Sequence, residues 1–182
     1  MNFIRMEIPD VVLIEPRVFK DARGFFLETW RRDEFAAAGL DAEFVQDNHS
    51  ASTRGVLRGL HYQVRQAQGK LLRVASGEIF DVAVDLRRSS PTFGRSAYAV
   101  LTAEKKEMLW VPPGFAHGFY VLSETAELLY KATDYYAPQW ERALLWNDPA
   151  LGSPWPLVDG QPPVLSTKDA AALPLDEAEC YE

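Results

Sequence analysis

The alternation running from Ile79 to Leu86 constrains the fold more than any other stretch of the chain. Phe80, Val82, Val84 and Leu86 alternate with Asp81 and Asp85, the period of two that marks a half-buried strand. Upstream, Lys70–Ser76 is a second apolar run, and Gly77-Glu78 between them reads as a turn, so a hairpin is expected here. The same grammar recurs along the chain. Val11–Phe19, with Pro16 inside it, reads as an edge strand or arm. Phe25–Trp30, Phe44–His49, Arg95–Leu101, Met108–Val111, Gly118–Leu122, Glu127–Asp134 and Ala143–Trp146 read as further short strands. Asp33–Leu40 reads as one short helix, with Asp33 placed to cap it and Gly39 to end it, and Lys168–Leu173 leaves room for one more helical turn. Short strands spaced roughly 8–12 residues apart, with almost no helix, specify an all-β sandwich or barrel. A small double-sheet jelly roll fits best, and such folds take ligands in their mouths.

The chain's 182 residues suit one domain, 1–182, with an N-terminal arm to about residue 20 and a wrapping tail from about residue 149. Pro and Gly are concentrated in that tail, from Pro149 to Leu165. A net charge of −7 argues against a general nucleic-acid binder, which would carry a basic face. Any phosphate recognition is therefore local, made by a few arginines and lysines. The single Cys180 rules out an internal disulfide framework and fits a reducing cytoplasm. No signal peptide is expected, because Arg5, Glu7 and Asp10 stand where an apolar core would be. Met108–Ser123, the longest uncharged run, is broken by Pro112, Pro113 and Gly114 and cannot be a spanning helix. A soluble cytoplasmic protein is expected.

Chemistry concentrates between Leu57 and Arg73, two apolar runs joined by a short polar link containing Gly69. Arg58, His61 and Lys70 amount to a base and two fixed positive charges, the parts needed by an anionic substrate that must lose a proton. Each has a plainer reading: a half-buried histidine, a solvated turn lysine, a surface arginine. An odd spacing puts Arg58 and His61 on opposite faces of a regular strand, and a bulge at Gly59 would bring them together. Arg23 and Arg58 each precede a glycine, which lets backbone and guanidinium approach a phosphate together. Tyr130 alternates with Leu128 and Ala132, so core packing competes with catalysis there. Three histidines are few for a metal cage. His61 is followed two residues later by Gln63 rather than a second histidine, His117 has few obvious partners, and His49 lies on another strand. The ligand count argues against a metal site.

Ten segments stand in order along the chain: Arg23-Gly-Phe-Phe-Leu-Glu28, Phe44-Val-Gln-Asp-Asn-His49, Val56-Leu-Arg-Gly-Leu-His-Tyr-Gln63, Gln68-Gly-Lys70, Gly77-Glu-Ile-Phe-Asp-Val-Ala-Val-Asp85, Ser90-Pro-Thr-Phe-Gly94, Trp110-Val-Pro-Pro-Gly-Phe-Ala-His-Gly-Phe119, Tyr130-Lys-Ala-Thr-Asp-Tyr-Tyr136, Leu145-Trp-Asn-Asp148 and Ser166-Thr-Lys-Asp169. Together, over roughly Ile8 to Leu173, they resemble the dTDP-4-dehydrorhamnose 3,5-epimerases, enzymes of dTDP-L-rhamnose synthesis. The resemblance implies a cupin fold, a double-stranded β-helix jelly roll with short flanking helices. It implies His61 as the base next to the 4-keto group, Asp169 as its support, Tyr130 as the acid on the opposite face and Lys70 as the enolate's partner. Arg23, Glu28, Gln46, Asn48, Arg58, His117, Glu141 and Lys168 match positions that bind the nucleotide sugar, and Phe19 and Phe26 positions that stack near the base. It also implies a homodimer with exchanged strands and no metal or organic cofactor. Rival readings are an epimerase acting at C3 or C5 alone, a ketoisomerase of the same fold, a non-catalytic sugar-binding cupin, and a metal-dependent oxygenase, whose ligands the chain lacks.

Overall fold

A computed structural model describes residues 1–182. Strands β1 (Asn2–Arg5), β2 (Val12–Glu15), β3 (Val18–Asp21) and β4 (Gly24–Leu27) lead into helix α1 (Arg32–Ala37). The body follows as β5 (Gln46–Thr53), β6 (Leu57–Gln63), β7 (Lys70–Ser76), β8 (Glu78–Asp85), β9 (Ser96–Thr102), β10 (Met108–Val111), β11 (Phe115–Val121) and β12 (Thr125–Ala132). A short β13 (Glu141–Ala143) and helix α2 (Thr167–Ala170) close the chain's regular structure. One sheet has six strands in the order β1-β2-β10-β7-β12-β5, the other five in the order β13-β6-β11-β8-β9, and β3–β4 is a separate ribbon. Leu72, Val74, Leu109 and Leu128 of the first sheet share a core cluster with Ile79, Ala83, Leu101 and Phe119 of the second. This is the jelly roll that the strand spacing specified.

The hairpin expected around Gly77 does not form. β7 pairs with β10 and β12, whereas β8 pairs with β11 and β9, so the chain crosses between sheets at Gly77. Gly77 has φ of +79°, and a Cβ there would lie 2.1 Å from the Thr125 carbonyl oxygen, so only glycine fits the crossing. The chain changes sheets in the same way between β5 and β6, β6 and β7, and β10 and β11. Period-two alternation identifies a strand and its faces; it does not identify the strand's neighbours.

β8 is also more deeply buried than the alternation suggested. Asp81 and Asp85 are as inaccessible as Val82 and Val84, all at 0% exposure. The polar face looks into the roll rather than at water. The apolar face packs outward with Leu57, Leu60 and Tyr62 of β6, and with Trp155 and Leu157 of the tail. The run Val11–Phe19 splits at Pro16 into β2 and β3, and β2 is internal because β1 takes the edge beside it. Helix α1 begins one residue before Asp33, whose carboxylate therefore lies in the first turn rather than at the cap, while Gly39, at φ +79°, follows its end.

The bulge proposed at Gly59 is present. β6 advances three residues, Arg58 to His61, where β11 advances two, His117 to Phe119. Gly59 has φ of +126° and lies so close to β11 that a Cβ would come within 2.5 Å of the Gly118 Cα. The extra residue turns Leu57, Leu60 and Tyr62 together to the outer cluster and leaves Arg58 and His61 on the inner face. The tail wraps that outer cluster, with Trp155 Nε1 donating to the Trp146 carbonyl at 2.8 Å, and then delivers α2 to β6.

Candidate active site

His61 projects from the inner face of β6, and Asp169 reaches it from α2. His61 Nε2 is in hydrogen-bond contact with an Asp169 carboxylate oxygen. Asp169, 2% exposed, is itself held by the helix cap: the Ser166 hydroxyl donates to Asp169 Oδ2 at 2.8 Å and accepts from its backbone N–H at 3.1 Å. Burial alone would raise the Asp169 carboxyl, but hydrogen bonds from His61 and Ser166 and the charges of His61 and Lys168 outweigh it and keep the pKa below the ordinary value. An ionised, immobile carboxylate behind a histidine leaves the ring's other nitrogen free to take a proton.

Lys70 opens β7, between Val111 on β10 and Ala132 on β12. Burial pushes its ammonium down to about 8; Asp81 and Glu141 favour the charged form and Lys168 opposes it. Tyr130 comes from β12, in register with Asn48 on one side and Leu72 on the other. Burial raises the Tyr130 phenol, with Arg58 opposing and Glu141 adding to the rise, so the hydroxyl keeps its proton at neutral pH. Its ring packs against the central core while the residue also lines a cleft, so core packing does not remove Tyr130 from the site.

His61, Lys70, Tyr130 and Glu141 line one cleft of about 90 Å³ together with Tyr62, Gln63, Gln68 and Tyr136. Since β6 and β12 belong to different sheets, His61 and Tyr130 enter it from opposite walls. Glu141 receives the Tyr136 hydroxyl at 2.7 Å and is ion-paired with Lys168. Burial would raise its carboxyl, but Lys168 and Tyr136 hold it below the usual range. His117, buried opposite His61 in register, has its Nε2 at 2.9 and 3.0 Å from the two carboxylate oxygens of Asp81. Arg58 donates to Ser52 Oγ at 2.9 Å and to the Ala51 carbonyl at 3.3 Å. Gln46 donates to Asn48 Oδ1 at 2.9 Å, while Asn48 Nδ2 is buried without a partner in the chain, a donor left available beside Tyr130.

The family model described as dTDP-4-dehydrorhamnose 3,5-epimerase matches residues 5–177. The chain belongs to that family. It is 58% identical to the dTDP-4-dehydrorhamnose 3,5-epimerase of Pseudomonas aeruginosa over 182 residues, covering 100% of this chain and 99% of the relative. The enzyme of the same name from Salmonella typhimurium is 56% identical over 180 residues, covering 98% and 97%. Among solved structures, a 3,5-epimerase from Legionella pneumophila in complex with dTDP-4-keto-L-rhamnose superposes with a TM-score of 0.94 at 49% identity, covering 98% of this chain and 94% of that one.

Four positions of the epimerase pattern stand apart from the cleft. Phe19 and Phe26 face one another across the β3–β4 ribbon at 6.5 Å and are 47% and 67% exposed. Arg23 is ion-paired with Asp21 at 2.6 Å, and Glu28 lies 3.6 Å from Arg31. Phe19, Arg23 and Phe26 line their own depression and share no residue with the cleft of His61. Conversely, the cleft uses groups that sequence reasoning passed over. Ser166 was legible as a helix cap three residues before an acidic one, and Asp81 was visible on the polar face of β8. Gln63 stood out only as a missing metal ligand and Tyr136 only as the end of a matching segment, since their roles depend on which loop crosses β6.

Proposed function

We propose that the chain epimerises dTDP-4-dehydro-6-deoxy-D-glucose at C3 and C5, giving dTDP-4-dehydro-L-rhamnose for dTDP-L-rhamnose synthesis. The observation that carries this reading is the placement of His61 and Tyr130 on opposite walls of one cleft, with Asp169 behind the histidine. Inversion at a carbon next to a ketone needs a base on one face and an acid on the other. His61 removes the proton, and the electron pair of the broken C–H bond moves onto the 4-keto oxygen. Lys70 stabilises that oxyanion, and Tyr130 returns a proton to the opposite face of the carbon. Neither step consumes a redox equivalent, so no cofactor is required. Arg58, Gln46, Asn48, His117, Glu141 and Lys168 hold the nucleotide sugar, so that binding remote from the ring orients the reacting carbons.

The β3–β4 ribbon belongs to a second copy's site in this proposal. Its paired, exposed phenylalanines and Arg23 are suited to a base and a diphosphate, and within one chain they are separated from the catalytic cleft. A homodimer exchanging these strands completes each site. The chain has no helix long and apolar enough to cross a membrane.

The deciding test is NMR of dTDP-4-keto-6-deoxy-D-glucose with the enzyme in deuterated water and excess chelator. Deuterium at both C3 and C5 is expected. Deuterium at one carbon would make the chain a mono-epimerase, and none, with substrate bound, would make it a binding module. The same assay carries a pH prediction. Lys70 is cationic below about pH 8 and loses that charge above it. The rate is therefore expected to fall as pH rises through about 8, and Lys70→Arg, weaker but always charged, should lack this limb. A wild-type rate that stays flat between about pH 7 and 10 would remove Lys70 from the oxyanion role.

A further inference from the structure

Gln63 stands two residues beyond His61, where a metal-binding relative of this fold would place a second ligand. It is 3% exposed, and every hydrogen bond of its side chain goes to backbone. Nε2 donates to the Gln66 carbonyl at 2.7 Å and the Tyr135 carbonyl at 3.2 Å, and Oε1 accepts from the Ala137 N–H at 2.8 Å. The residue between these last two, Tyr136, is pinned separately, its N–H donating to Gln46 Oε1 at 2.9 Å. Three successive residues of the loop after β12 are thus fixed by two glutamine side chains. The Tyr136 side chain gains little from burial, being 53% exposed, and its hydroxyl is engaged by Glu141. Its position at the rim is set by the backbone beneath it.

We infer that Gln63 is a positioning residue for ligand binding, acting by clamping Tyr135–Ala137 so that Tyr136 is seated against Glu141 at the cleft. This rests on the epimerase reading. With both N–H donors and its amide oxygen engaged by backbone, Gln63 acts through the loop. An amide is the one side chain here that meets both demands: it supplies two donors to carbonyls and one acceptor to an N–H. Glutamate at this position would keep the Ala137 bond and lose both donated ones; leucine would lose all three. Without the clamp, the loop and Tyr136 must be ordered when ligand binds, which weakens binding while leaving the His61–Asp169 pair as it is.

The test is a double-mutant cycle read by kcat, KM and calorimetric affinity for dTDP. Gln63→Leu is expected to raise KM and the dTDP dissociation constant about tenfold while kcat changes less than about threefold. Gln63→Glu, which would turn an acceptor-only carboxylate oxygen toward the Gln66 and Tyr135 carbonyls, should weaken binding at least as much. Tyr136→Phe should weaken binding as well, and adding it to Gln63→Leu should cost no more than Gln63→Leu alone, since both act through one contact. A fall in kcat at unchanged KM, effects that multiply in the double variant, or unaltered binding would each overturn the inference. Thermal unfolding checks the fold; should Gln63→Leu lose it, the isosteric Gln63→Glu carries the cycle. A wild-type enzyme that incorporates no deuterium would instead overturn the epimerase reading, whatever the variants do.

Discussion

His61→Ala is expected to abolish exchange of the substrate's C3 and C5 hydrogens with solvent. A positioned general base contributes about 10²–10⁴ in rate, and in the proposed mechanism both inversions depend on the same one. No other group in the cleft is a free base at neutral pH: Lys70, pushed down to about 8, is still mainly cationic there. Glu141 is closest in chemistry, but Lys168 and the Tyr136 hydroxyl hold its carboxylate below the usual pKa, which makes it a poor base. Asp169 is still further from the role, being 2% exposed and tied down by Ser166. The substitution should preserve the fold, because His61 is part-exposed on the inner face of β6 while the strand is anchored by Leu57, Leu60 and Tyr62 on the other. Deuterium incorporation is measured at saturating substrate, with dTDP affinity as the binding control. Undiminished exchange in a folded His61→Ala protein would sink the assignment of His61 as base.

The contrast between His61 and β8 explains what could be read in advance and what could not. Alternation located β8 and its two faces, and strand spacing was enough to specify a two-sheet roll. It could not distinguish a hairpin from a crossover at Gly77, because both need a glycine turn and both bury apolar side chains. The deciding fact is the Thr125 carbonyl 2.1 Å from where a Cβ on Gly77 would lie, a contact between residues far apart in sequence. The polar face of β8 misled for a related reason: in a roll whose interior holds a charged site, aspartates point inward as readily as outward. Asp81 meets His117 there, and Asp85 is satisfied by Arg87, Ser90 and Thr92. The Arg58–His61 spacing, by contrast, contained its own diagnosis. Two inner-face residues three apart demand a bulge, and the glycine able to make it stood between them. Asp169 is the opposite case. It lies 108 residues from His61, and only the path of the tail around the outer cluster brings it there. The resemblance to the epimerases named it; no local pattern could.

Tyr130→Phe is expected to separate proton removal from inversion. The substitution deletes one hydroxyl and keeps the ring, which packs against the central core, so stability should change little. In the proposed mechanism His61 removes the substrate proton and Lys70 stabilises the resulting oxyanion without Tyr130, so deuterium should still enter the substrate. It should enter with retention, because the proton is returned from the His61 wall. The inverted L-sugar should fall by about 10²–10⁴, the usual contribution of a placed general acid. Its surroundings suit the phenol to the role: burial raises its pKa and Arg58 only partly offsets this, so it keeps its proton at neutral pH. If Tyr130 served packing alone, phenylalanine would satisfy the same neighbours and the L-product would form at the wild-type rate. The two roles predict opposite results from a single atom, and product stereochemistry read alongside deuterium content distinguishes them in one spectrum.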